Sequence, residues 1–246
     1  MKIKIFLGIA IGCFCMIGVA FAQTSVVISD PVAESAKAEH AAVNASKIEL
    51  SAAEQALMDN SILPKARAKL KSEVCEESID ISSRVQGAFT KAGAKQTLIF
   101  YQFCQTGNGL GSVGVAIIDN GKVVGNFVSV ESGWTDHANV LPDINQNGLD
   151  EIALYYSGGM HQGAGGTGVD IIEYSNGALK GIGWFQAEGF TETGPVIGYR
   201  VTVAPGKTPA FFKEKYTQDA AGKWKKTGTA VPLKLTKAVS EFVSVI

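Results

Sequence analysis

The chain has little that marks an enzyme. It contains no HExxH, no G-x-S-x-G, and no glycine-rich loop ending in Lys-Ser/Thr ahead of a helix. That argues against zinc-protease, serine-hydrolase and phosphate-loop chemistry. Its three histidines lack the paired spacing of a zinc site. Basic excess is also missing: 22 Lys and Arg face 23 Asp and Glu, with no basic run or tail. Nucleic acid is therefore not an expected partner. Beyond the first 22 residues there is no long apolar run, so no membrane span is expected in the rest of the chain.

What stands at the N-terminus is a secretory signal. Lys2 and Lys4 precede an apolar stretch, and Ala20-Phe21-Ala22 offers an A-x-A cleavage site before Gln23. A second reading puts a lipoprotein site at Gly12-Cys13, although Ala10 stands where such sites usually carry Leu. Cleavage at Ala22-Gln23 gives an exported protein, periplasmic or secreted. It leaves 20 basic against 23 acidic side chains, a net charge of −3. Of four cysteines, Cys75 and Cys104 remain. An even pair in an oxidising compartment is expected to form one disulfide. The bond would stabilise the fold by about 3 kcal/mol in the chain-entropy model. Two reduced buried thiols or a metal pair are the alternatives, and no histidine spacing supports the metal.

Three regions follow: a signal peptide over 1–22, a helical and partly mobile region over 23–84, and a β-repeat domain over 85–246. In the second region, residues 23–32 look extended and loosely held. Ser51 and Glu54 form a capping box that opens a short helix, and Pro64 suits the first turn of another. From Val85 the apolar runs become short, β-branched and aromatic. Candidate strands cover 97–104, 112–119, 122–130, 151–157, 168–174, 178–186, 197–203, 210–218, 223–227 and 230–235. Asn120-Gly121 and Asn176-Gly177 are hairpin signals.

The strands repeat. The stretch from Gly93 to Tyr101 aligns with that from Gly148 to Tyr156 at an offset of 55, and Val115 to Gly121 aligns with Val169 to Gly177. A fainter third copy starts at Gly206. A period of this size with short strands suggests propeller blades, but propellers usually have at least four. The expected fold is mainly β: three blade-like antiparallel meanders, in an open or partial propeller-like arrangement, preceded by a short α-helical region.

The most informative stretch is Asp143-Ile-Asn145-Gln-Asn147-Gly148-Leu149-Asp150-Glu151. Oxygen side chains fall at positions one, three, five and nine, glycine is at six, and Leu149 at seven offers its carbonyl. Oxygen-only donors in this spacing suit Ca²⁺. Position twelve is Leu154 and a strand follows, which excludes an EF-hand. The stretch resembles the calcium loops of FG-GAP/VCBS repeats, the blades of integrin-type β-propellers. Their pattern is roughly D-x-[DN]-x-[DN]-G-x-x-[DE] leading into a strand. The resemblance covers residues 143–157 and implies one structural Ca²⁺ held by Asp143, Asn145, Asn147, Leu149 and Glu151. Asn145 and Asn147 are neutral, so Asp143 and Glu151 alone would supply ligand charge. The bland alternative is an Asx-rich turn without metal.

Two further groups merit weighing. His161 sits in a loop with six glycines in eleven residues, and Asp136-His137 precedes the acidic loop. Together Asp136, His137 and His161 make a possible ligand loop. No oriented nucleophile or metal pairs with either histidine, so no catalytic residue is assigned. The leading reading is a non-catalytic exported β-protein that holds Ca²⁺ and meets a protein or glycan partner through its loops. The rivals are an exported hydrolase using His137, His161 and nearby carboxylates, or an envelope scaffold with a vestigial calcium loop.

Overall fold

A computed structural model describes residues 24–35, 48–70, 79–104, 111–132, 134–161 and 164–246. The signal-peptide expectation and Cys75 lie outside the described residues. Every candidate strand is found as a strand, and four more appear. The order is β1 (Val26–Ser29), α1 (Ala52–Leu57), a π-helical turn (Met58–Ile62), α2 (Leu63–Leu70), β2 (Ile79–Gly87), β3 (Gln96–Phe103), β4 (Gly111–Asp119), β5 (Lys122–Ser132), β6 (Trp134–Leu141), β7 (Glu151–His161), β8 (Ala164–Ser175), β9 (Ala178–Thr191), β10 (Ile197–Ala204), β11 (Ala210–Gln218), β12 (Trp224–Lys226), β13 (Val231–Pro232) and β14 (Val243–Ser244).

The described residues form two antiparallel sheets. One has five strands in the order β14-β5-β4-β3-β2. The other has nine, along β12-β11-β10-β9-β8-β7-β6, with β1 on β10 and β13 on β11. Both hairpin signals make their turns: Asn120 and Gly121 lie at φ 48° and 73°, Asn176 and Gly177 at 52° and 81°. Positive φ at both central residues is what a type I′ turn requires.

Side-chain alternation explains the layering. On β3, Leu98 and Phe100 face the nine-stranded sheet, where they meet Ile152, Leu154 and Tyr156 of β7. Ile99, Tyr101 and Phe103 face the other way, onto Met58, Ile62, Leu63 and Ala66 of the helical segment. On β7, Ala153 and Tyr155 turn from the five-stranded sheet to Val201, Val203, Phe211 and Ile28. Strands buried on both faces read as continuous apolar runs, which is why β3, β4 and β7 are so visible in sequence. Buried polar groups tie the layers: Asn126 accepts from Tyr101 Oη at 3.1 Å and donates to the Ile62 carbonyl at 3.1 Å.

The structure differs from expectation in three places. First, the strands do not sort into three separate meanders. The first copy lies in the five-stranded sheet, but the second and third share a sheet, because Ile197 and Gly198 of β10 pair with Gly189 and Glu188 of β9. Second, Pro64 lies in the first turn of α2 as expected, but no break precedes that helix. Helix runs on from α1 through the π-turn into α2, and the wider turn precedes the proline, whose ring crowds a regular α-turn. Third, β1 is not loosely held: it pairs with β10, and Ile28 is buried in the core. The capping box is present, with Ser51 Oγ accepting from the Glu54 amide and Glu54 accepting from the Ser51 amide. β2 and β6 escape sequence reading because each is the outer strand of its sheet and half exposed. They meet across the sandwich, where the Ala138 amide donates to Ser83 Oγ at 2.7 Å.

Candidate functional site

The acidic loop joins β6 to β7 at the junction of the two sheets. Its turn is built by side chains bonding their own backbone. Asp143 Oδ1 and Asn145 Oδ1 accept from the Asn147 amide at 2.8 and 3.0 Å, and Asn147 Oδ1 accepts from the Leu149 amide at 2.8 Å. Asp143, Gln146 and Gly148 take positive φ of 36°, 59° and 89°. Asn, Asp and Gly tolerate that region, which accounts for the composition of the turn. Ile144 points inward, fully buried in the core with Tyr155, Val201 and Val203. Its carbonyl accepts from the Gly206 amide at 2.9 Å. The loop is therefore clamped from below and held to the β10–β11 turn.

Glu151 opens β7 opposite Leu141 and is fully buried. Its Oε2 accepts from the Ile144 amide at 2.8 Å, while Oε1 is buried without a hydrogen-bond partner. Burial pushes the Glu151 carboxyl up to about 7, the Ile144 amide pulls the other way, and the charges of Asp143 and Glu173 add to the rise. A buried carboxylate oxygen with nothing to bond is costly and calls for a proton or a cation.

Glu173 of β8 was not legible as part of this loop. Asn145 and Asn147 both direct their side-chain amides to its Oε2, at 2.8 and 3.2 Å. No sequence spacing points to it, since it lies on the strand after next. Among the described residues, no three His, Cys, Asp or Glu side chains form a ready metal cluster. The turn thus brings Asp143, Asn145, Asn147 and Glu151 into one bonded unit, with the Leu149 amide engaged by Asn147.

The histidines are arranged differently. His137 stacks on Tyr155 with ring centroids 3.9 Å apart and planes at 14°, and its Nδ1 lies 3.3 Å from Asp136 Oδ2. The Tyr155 hydroxyl in turn donates to the Ile28 carbonyl. His161 ends β7, its backbone paired with Ala164, and its side chain lies outside the described part of the structure. His161 lies six positions beyond Tyr155 along β7, past a register shift between Gly158 and His161.

Beyond the loop, an open groove of about 510 Å³ runs along the glycine-rich ends of β7 and β8, lined by Tyr156, Gly158, Thr167, Gly168, Trp184 and Gln186 among others. Among the described residues, no charged side chain lines it. Trp184 lies over Gly168, where a Cβ would meet its indole nitrogen at 2.6 Å.

Among the described residues, no helix is long and apolar enough to cross a membrane. No protein-family model, curated protein or solved structure matches this chain.

Proposed function

We propose that this is an exported, non-catalytic β-module in which the 143–151 loop holds one structural Ca²⁺ through Asp143, Asn145, Asn147, the Leu149 carbonyl and Glu151. One observation carries the reading: the partnerless Oε1 of fully buried Glu151, beside Asp143 in a loop of calcium-type spacing. A divalent cation would satisfy that oxygen and offset the mutual repulsion of the acids around it. With Trp184, a glycine floor and no charge among its described lining residues, the groove suits a neutral partner surface, glycan or protein, better than a charged ligand.

The repeat supports a blade-like reading of the stack. Leu98 and Phe100 align with Ala153 and Tyr155 at the offset of 55, yet the first pair faces the second sheet and the latter pair faces β10 and β11. Equivalent faces therefore point the same way along the stack, as in successive blades, and not toward each other.

Calorimetric titration with calcium, together with melting in calcium and in chelator, tests the metal reading. Binding to the folded chain alone stabilises by about 2.7 kcal/mol at a hundredfold excess over Kd. Asp143→Ala is expected to abolish the effect, and Asp119→Ala, in the β4–β5 hairpin, to retain it. An unchanged melting temperature at millimolar calcium would leave the loop a plain Asx turn.

A further inference from the structure

Charge is unevenly placed along this chain. Residues 123–179 contain seven Asp and Glu and no Lys or Arg, whereas residues 200–246 contain nine Lys and Arg against three Asp and Glu. The fold gathers part of that excess on one face of β10, β11 and β12. Val201 pairs with Lys213, Tyr199 with Lys215 and Thr217 with Lys225. Directly opposed residues share a face of a sheet, and so do alternate residues of one strand. Lys213, Lys215 and Lys225 therefore stand in a row on the side of Tyr199, stepping about 7 Å at a time along β11.

The row has no carboxylate of its own. Among the described residues, none of these three lysines is in an ion pair. The three acids of the region are engaged elsewhere. Glu214, on the opposite face of β11, takes Lys226 at 2.6 Å, and Glu241 takes Lys237 at 2.8 Å. Asp219 accepts from the Ala221 and Lys223 amides at 3.0 and 2.9 Å. Lys215 and Lys225 are exposed, and the Lys213 ammonium lies 4.9 Å from the centre of the Tyr199 ring. Like charges lined up in this way repel, and an anionic partner would offset that repulsion.

A second feature adjoins the row. Tyr199 and Ile197 also line a cavity of about 330 Å³ together with Phe190, Pro195, Thr191 and Gln186. Among the described residues, no charged side chain lines it. Aromatic rings with a hydroxyl and an amide beside them are what a sugar ring needs, an apolar face and a few polar contacts. Tyr199 belongs to both features.

We propose that this face docks an acidic polysaccharide, its carboxylates on Lys213, Lys215 and Lys225 and a sugar ring in the cavity against Tyr199. Charge complementarity carries the choice: a row of unpaired cations fits a linear polyanion better than a single small anion. Single-stranded nucleic acid stacks successive bases on several aromatic side chains, and the row holds only Tyr199. A flat anionic membrane would engage the lysines and leave the cavity unused. None of these residues belongs to the 143–151 loop, so the inference stands apart from the calcium reading.

The test is calorimetric titration of the full chain with oligogalacturonate in chelator, at low and high salt, with neutral dextran, poly(dT) and phosphatidylglycerol vesicles as comparison ligands. The variants are Lys213→Gln, Lys215→Gln and Lys225→Gln combined, Lys225→Gln alone, and a control with Lys65→Gln and Lys122→Gln, away from this face. Wild type is expected to bind oligogalacturonate, more weakly at high salt, and not to bind dextran. The combined variant should lose about tenfold in affinity, and the control should bind as wild type does. Lys225→Gln, on the short β12, gives the same test at smaller amplitude where the combined variant folds poorly. Absence of binding by wild type, full binding by the lysine variants, or an equal loss in the control overturns the proposal. Tighter binding of poly(dT) or of the vesicles with the same lysine dependence assigns the face to another class of partner and also overturns it.

Discussion

Asp150 and Ala88 exchange two hydrogen bonds where the sheets meet. The Ala88 amide donates to Asp150 Oδ2 at 2.7 Å, and the Asp150 amide donates to the Ala88 carbonyl at 3.0 Å. Ala88 follows the last residue of β2, and Asp150 precedes the first of β7. The acidic loop is thereby fastened to the five-stranded sheet by the one carboxylate that its calcium-type spacing leaves out. Asp150→Ala strands the Ala88 amide and is expected to cost about 1–3 kcal/mol in urea unfolding. Asp150→Asn, which keeps an acceptor, should cost less. An unchanged unfolding midpoint in the alanine variant would show the contact to be dispensable.

Glu54 and Arg84 join the helical segment to β2 through three hydrogen bonds of 2.8–3.0 Å. The Arg84 guanidinium is the main cause that holds the Glu54 carboxyl down to about 2 from its usual 4.5. Burial opposes it, and the Ser51 amide helps. A lowered folded-state value means the stabilisation is present above about pH 4.5 and is lost as pH falls toward 2. The stability gap between wild type and Glu54→Gln should therefore be full at pH 6 and shrink steadily below pH 4.5. A gap that stays constant down to pH 3 would contradict this assignment.

The C-terminal segment is strapped across both sheets by a buried acid. Fully buried Asp170 accepts from the Val239 and Ser240 amides at 2.9 and 2.8 Å, and Ser240 Oγ donates to Tyr156 Oη at 3.0 Å. Beyond it, β14 pairs with β5 of the other sheet. Asp170→Ala is expected to destabilise by on the order of 3 kcal/mol, since two charge-assisted bonds lose their acceptor. Hydrogen exchange at Val239 and Ser240 should accelerate with it. Retained protection there would show that the strap is held by packing alone.

Cys104 closes β3, buried and at φ 51°. Its pairing with Cys75 is expected if the chain is exported as proposed. Thiol titration of unfolded, non-reduced protein should then find no reactive thiol, and reduction should lower stability by about 3 kcal/mol. Two reactive thiols would rule the bond out.

Much of the β-structure could be read from the chain alone. Strands buried on both faces, such as β3 and β7, need unbroken apolar runs, and type I′ hairpins need Asn-Gly, so both leave local marks. The capping box at Ser51 and Glu54 is equally local. The Asx turn offered as the alternative to a calcium loop is there, with Asp143, Asn145 and Asn147 accepting from loop amides. The edge strands β2 and β6 left weaker marks because half of each faces solvent.

Tertiary structure alone decided which copy shares a sheet with which, because two backbone pairs at Ile197 and Gly198 carry no sequence signature. It also placed Glu173 against the loop and left one oxygen of Glu151 without a partner. Periodicity specifies which side of a strand a residue faces, but not which strand lies opposite. Contacts between residues 26 to 28 positions apart depend on how strands line up in register. For that reason the acidic loop was visible as a pattern, while Glu173, which accepts from its Asn145 and Asn147 amides, was not.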